Sequence, residues 1–118
     1  MKLGARKLGY ATCKLSQSSA LPKHLMGTIV ELTSLHVPAE SRREGYATEL
    51  LRTICDEADE AKKLLMVIVR PFSDGVMSQS QLTRMYERFG FVEIQAKPCI
   101  MARMVGATPR ILNRSMEI

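Results

Sequence analysis

Residues 42–47, Arg42-Arg43-Glu44-Gly45-Tyr46-Ala47, join a β-rich stretch to a helical one. The first N–H groups of a helix lack internal partners and sit at the positive end of its dipole, so such a junction is a ready site for an anion. Gly45, read as lying in the first turn, costs about 0.8–1 kcal/mol there relative to Ala. Its missing side chain lets a bulky anion approach the backbone. Ala47 keeps a further position small, and Arg42 and Arg43 add positive charge. A plainer reading stays open beside this one, because Ser41-x-x-Glu44 has the spacing of a capping box and fits an ordinary helix start. Other phosphate motifs fit worse. There is no GxxxxGK[ST] run, and Gly45 stands alone where a dinucleotide fingerprint needs three glycines.

The elements that must hold this turn are legible from periodicity. Residues 9–15 suit a strand, and 16–22 a polar loop. Residues 25–37 are rich in β-branched side chains and end at Pro38, which predicts one long strand with a bulge or bend inside it. Ala47, Leu50, Leu51, Ile54, Ala58 and Ala61 recur at helical spacing, predicting an amphipathic helix over about 43–63. The apolar run Leu64–Val69 reads as a strand buried on both faces with a parallel neighbour. Ser78 and Gln81 have capping-box spacing ahead of a short helix with Leu82, Met85, Tyr86 and Phe89 on one face, and Gly90 stops it. Residues 91–95 and 100–105 read as strands around a turn at Lys97-Pro98. The order β-β-α-β-α-β-β is α+β (mixed α/β), a mixed sheet with one parallel βαβ crossover. One domain over 1–106 and a loosely ordered tail over 107–118 are expected.

Composition narrows the class. The chain has 118 residues, 46% apolar and 25% charged, which is the globular range. No apolar run reaches the length of a membrane span, and no apolar segment follows the charged first residues, so a cytoplasmic address is expected and a membrane partner is not. Cys13, Cys55 and Cys99 are far apart and form no metal spacing with His24 and His36, so buried, reduced thiols and no metal are expected. The net charge is +5, and no acid precedes Glu31. That balance favours anionic partners. The absence of basic runs and of interleaved aromatics argues against nucleic acid.

Arg42-x-x-Gly45-x-Ala47 after a strand resembles the R/Q-x-x-G-x-G/A motif of the GNAT (GCN5-related N-acetyltransferase) superfamily. Pro38-Ala39-Glu40 before it is similar to the family's strand exit, and Leu50-Leu51 to its helix. Met85-Tyr86-Glu87-Arg88-Phe89-Gly90-Phe91 looks like its [LF]Y-x-x-x-GF segment. The likeness covers roughly 25–105. Two features depart from it: only residues 1–24 stand where the family usually has a helical region, and its frequent Asn seven positions before the tyrosine is Gln79.

The resemblance implies acetyl-CoA as co-substrate, its pyrophosphate gripped by backbone amides of Arg43 to Ala47. Its pantetheine arm would pair with the backbone of Leu35, His36 and Val37 where two parallel strands splay. It implies direct transfer to a primary amine in a ternary complex, with Tyr86 protonating the departing thiolate and Glu31 as base. His36 is the rival base, on the opposite face from Glu31 unless a bulge intervenes, and a water chain to backbone carbonyls is a third option. Arg70 and Ser80 are further candidates for reaching the cofactor. The basic surface suits a protein lysine as acceptor, and exposed strand ends suit a homodimer. The alternative on the same fold is a non-catalytic acyl-CoA-binding or protein-interaction module.

Overall fold

The computed structural model describes residues 1–17, 28–38, 45–70 and 78–107. Its elements are β1 Gly4–Leu8, β2 Ala11–Gln17, β3 Ile29–His36, α1 Tyr46–Glu60, β4 Leu64–Ile68, α2 Gln79–Glu87, β5 Val92–Ala96 and β6 Cys99–Arg103. One sheet has the order β1-β2-β3-β4-β6-β5. Only β3 and β4 run parallel, and α1 links them, so the expected mixed α+β sheet with a single parallel crossover is what forms.

Cross-strand partners share a face, so register sorts the side chains. Arg6, Cys13, Leu15, Leu32, Leu65 and Arg103 fall on one face. Arg103 reaches Asp59 of α1 and the carbonyl of Phe89 just past α2, so both helices lie over that face. Leu50, Leu51, Ile54, Cys55 and Ala58 of α1 and Leu82 and Tyr86 of α2 close the core against it. Ala11, Leu15, Leu32, Leu51, Ile54, Leu65 and Met101 are almost completely shielded.

This one-sided layout corrects the expectation that the run 64–69 is buried on both faces. Leu65 and Val67 are buried beneath the helices, whereas Leu64 and Met66 are half-buried and Ile68 is exposed on the other face, which no described helix covers. β1 is a strand that hydrophobic pattern does not announce. Its inward positions are Gly4, Arg6 and Leu8, and Arg6 is satisfied by an ion pair with Glu57 of α1 rather than by apolar packing.

The helices are bounded as their residues dictate. Ser78 caps α2 through the reciprocal bonds with Gln81 that the spacing predicted, and Gly90 takes φ +92° just beyond it. All three cysteines are free and buried. No described helix is long and apolar enough to cross a membrane. Residues 25–27 of the predicted long strand and 108–118 of the predicted tail lie outside the described residues.

Candidate active site

The sheet opens between β3 and β4. Their ladder runs Ile29–Leu64, Val30–Leu65, Glu31–Met66 and Leu32–Val67, and there it stops, although β3 continues to His36. A cleft of about 430 Å³ fills the opening. β3 lines it from Leu32 to His36, β4 and its exit contribute Val67, Ile68 and Arg70, and α2 contributes Leu82 and Tyr86. Leu32, Val67 and Tyr86 belong to the helix-covered side and Ile68 to the open side, so the cleft is lined from both faces of the sheet.

The bend that separates β3 from β4 is a bulge, as the length of the stretch predicted. Between Thr12–His36 and Lys14–Thr33, β3 has one residue more than β2. Ser34 takes up the excess at φ +57°. A non-glycine residue held in that left-handed region costs on the order of 1–3 kcal/mol, and such strain gathers at functional sites. The bulge has a second effect. Glu31 pairs with Ser16 and His36 with Thr12, and Ser16 and Thr12 lie on the same face of β2. Glu31 and His36 therefore share the open face, where plain alternation would have opposed them.

The predicted residues divide accordingly. Leu35, His36 and Tyr86 line one cleft, joined by Arg70. Glu31 stands at its closed end, half-buried, one residue before the ladder stops. Val37 sends its side chain into the core, leaving only its backbone for a ligand. Ser80 is exposed and does not line the cleft.

Tyr86 is held by its own helix. Its ring meets Phe91 edge-on at 5.3 Å, and its carbonyl accepts from the N–H groups of Phe89 and Phe91. Burial, with a smaller contribution from Cys13, pushes its phenol well above the ordinary range, which keeps it protonated. Burial likewise pushes Cys13 and Cys55 to about 11, so neither is a nucleophile near neutral pH.

Arg42, Arg43 and Glu44 of the anion turn lie outside the described residues; Gly45, Tyr46 and Ala47 lie within them. Gly45 is not in the first turn of α1, as the sequence reading had it, but is the N-cap itself, at φ +81°. The reason for glycine is thus the left-handed backbone rather than access alone. Gly45 gives α1 no side-chain cap, and a Cβ there would meet no atom of the described residues within 4 Å. Tyr46 is wedged against the β1–β2 turn: its ring lies on Gly9 and edge-on to Tyr10 at 5.6 Å. β1 and β2 thereby fix where α1 begins.

A family model described as the Acetyltransferase (GNAT) family matches residues 2–91. The chain belongs to the GNAT acetyltransferase family. Several solved structures share the fold at low identity. Anti-CRISPR protein AcrVA5 superposes with a TM-score of 0.62 at 19% identity, over 85% of this chain and 98% of that one. The ribosomal-protein-S18-alanine N-acetyltransferase of Escherichia coli gives 0.60 at 19% identity, over 86% and 64%. The GNAT N-acetyltransferase YhbS of Escherichia coli, solved in complex with CoA, gives 0.54 at 14% identity, over 84% and 57%. The chain thus spans less than two thirds of both Escherichia coli enzymes. Comparison with curated proteins gives no match by sequence.

One member of this GNAT domain escaped the sequence reading. Arg103 is 5% exposed. It makes two bonds to the Asp59 carboxylate at 2.8 and 3.0 Å, and donates to the carbonyls of Phe89 at 2.6 Å and Ala107 at 3.1 Å. Asp59 also accepts from the Gly106 N–H at 2.8 Å. The Arg103 bond holds the Asp59 carboxyl below its usual range. This clip joins the last turn of α1 to the exit of α2, the two helices that cover one face of the sheet. No pattern marks it, because an arginine inside an apolar strand becomes a core residue only once a carboxylate four elements earlier in the chain is in place.

Proposed function

We propose that this GNAT domain moves an acetyl group from acetyl-CoA to a primary amine by direct attack in a ternary complex. The observation that carries the reading is the cleft lined by Tyr86 from the helix side and by the bulged end of β3 from the other. The residues fit an acyl-CoA. A cleft opened where a parallel ladder ends suits an extended pantetheine arm, and the uncapped start of α1, with Gly45 at its head, suits a pyrophosphate. CoA bound to the fold neighbour YhbS is in keeping with that fit.

Acid and base come from opposite sides of the sheet. The amine nitrogen attacks the thioester carbonyl carbon, the carbon–sulfur bond breaks, and the sulfur leaves with the electron pair. Tyr86, kept neutral by burial, gives that sulfur a proton. Glu31 takes the proton lost by the amine, on the open face. His36 is the rival for that role, because it lines the cleft itself. None of the three buried cysteines lines the cleft, so none is placed for a covalent intermediate. The acceptor is a primary amine, a protein lysine among the class.

Release of CoA thiol, followed with and without N-acetyl-lysine methylamide, tests the reading. Amine-dependent thiol release with a matching acetylated product is expected. Binding of acetyl-CoA with no transfer to any amine would leave a non-catalytic acyl-CoA module instead.

A further inference from the structure

The sheet face away from the helices is divided in two, and Glu31 stands on the dividing line. Register places Ser16, Glu31, Met66, Ala102 and Val92 in one row across five strands. On the β4–β6 side of Glu31, this face carries Leu64, Met66, Ile68 and Ile100, all apolar, and extends to Val92 and the exposed Gln95 of β5. Ile68 is 39% exposed and Val92 51%. On the β1–β2 side it carries Ala5, Lys7, Thr12, Lys14 and Ser16, with two exposed lysines and no acid among these described positions. Lys14 lies one strand over and one same-face step along from Glu31, about 8 Å by sheet geometry. A sheet face left to water commonly carries polar side chains, whereas contiguous exposed apolar surface marks an interaction site.

We infer that this face docks the protein that carries the acceptor amine, and that the partner presents its lysine between an apolar patch and an acidic one. The inference rests on the transfer proposed above. Charge and position select this occupant. A second copy seated here would set Lys7 and Lys14 against a chain that also carries +5, and would cover Glu31 without offering it an amine to deprotonate. A free polyamine would be repelled by Lys7 and Lys14 and would gain nothing from the aliphatic half. An acidic patch pairs with the lysines, an apolar one covers Ile68 and Ile100, and a lysine between them meets Glu31 and the cleft mouth.

The test uses three labelled nonapeptides with a central lysine, flanked as acidic–Lys–apolar, basic–Lys–apolar and acidic–Lys–serine, with spermidine and N-acetyl-lysine methylamide beside them. Anisotropy gives binding, and product formation gives kcat/KM. The acidic–Lys–apolar peptide is expected to exceed both other peptides by about tenfold in each readout. Lys7→Glu with Lys14→Glu reverses the preference between acidic and basic flanks, and Val92→Lys lowers binding of the apolar-flanked peptides. Turnover of N-acetyl-lysine methylamide by the Lys7→Glu/Lys14→Glu variant stays at the parent level, showing an intact cleft. Equal kcat/KM across the peptides, spermidine as the best acceptor, or an unchanged preference in the double variant overturns the docking inference while leaving amine transfer standing. Selective binding of the acidic–Lys–apolar peptide with no acetylation of any amine overturns the transfer reading instead.

Discussion

The ring of Tyr46 occupies the space that a side chain on Gly9 would need: a Cβ at Gly9 would lie 2.3 Å from Tyr46 Cδ1. The first residue of α1 is thus seated on the turn between β1 and β2. Gly9 also holds φ +59°, where a side chain adds strain of its own. Gly9→Ala is expected to displace Tyr46 and the helix start, lowering acetyl-CoA affinity by about tenfold, a loss of 1.4 kcal/mol. Combining it with Tyr46→Ala should be clearly less than additive, because one contact is lost once. Calorimetric affinities for the two single variants and the double variant read this, and simple additivity would show that the turn and the helix start are independent.

Tyr86→Phe keeps the ring and its edge-on contact with Phe91 while removing the hydroxyl. The fold should survive, acetyl-CoA affinity should hardly change, and kcat should fall by about a hundredfold. Because burial raises the Tyr86 pKa, the acid form is present at every pH below that raised value. The parent enzyme should therefore show no loss of kcat from phenol ionisation even at about pH 10, where a free tyrosine titrates. Steady-state kinetics against pH checks both statements.

The bulge at Ser34 places Glu31 and His36 on one face, so substitution must separate them. Glu31→Gln is expected to lower kcat by about a hundredfold, with partial recovery on adding formate, a small carboxylate that supplies the lost base. His36→Gln should alter acetyl-CoA binding more than kcat, because His36 lines the cleft. The reverse pattern, with His36→Gln inactive and Glu31→Gln near parent, would move the base to His36.

Much of this arrangement was legible in the sequence, and what was missed shares one cause. The helical faces of Leu50, Leu51 and Ile54 and of Leu82 and Tyr86, the Ser78–Gln81 box and the parallel pairing of 64–69 are local patterns, and they stood. β1, the one-sided burial of β4 and the Arg103–Asp59 clip depend on what packs against them. Arg6 and Arg103 turn inward only because Glu57 and Asp59 of α1 face them, and nothing local to either arginine encodes that. Gly45 was recognised as special, but its role as a left-handed N-cap depends on a backbone angle that spacing does not encode. Length alone announced the bulge in 25–37. Its consequence, Glu31 and His36 on one face, followed only from the register with β2.

The Arg103–Asp59 clip predicts an acid sensitivity. Asp59 has a lowered pKa in the folded chain, chiefly through its bond from Arg103, so its contribution to stability is present above the unfolded value, about 3.9. It is lost as pH falls through the lower folded value. Asp59→Asn should cost roughly 3 kcal/mol near neutral pH by stranding a buried guanidinium, and should flatten the decline in stability below about pH 4. Urea unfolding of both proteins across that range measures it. Parallel curves would show that the pair contributes nothing to acid unfolding.

Parallel calorimetric titrations with acetyl-CoA, CoA and ATP address the cleft most directly. Acetyl-CoA and CoA are expected to bind with like affinity, ATP at least about a hundredfold more weakly because it lacks the arm that enters between β3 and β4, and Gly45→Val is expected to weaken the CoA compounds. ATP binding as tightly as acetyl-CoA, or acetyl-CoA failing to bind at all, would contradict that reading of the cleft.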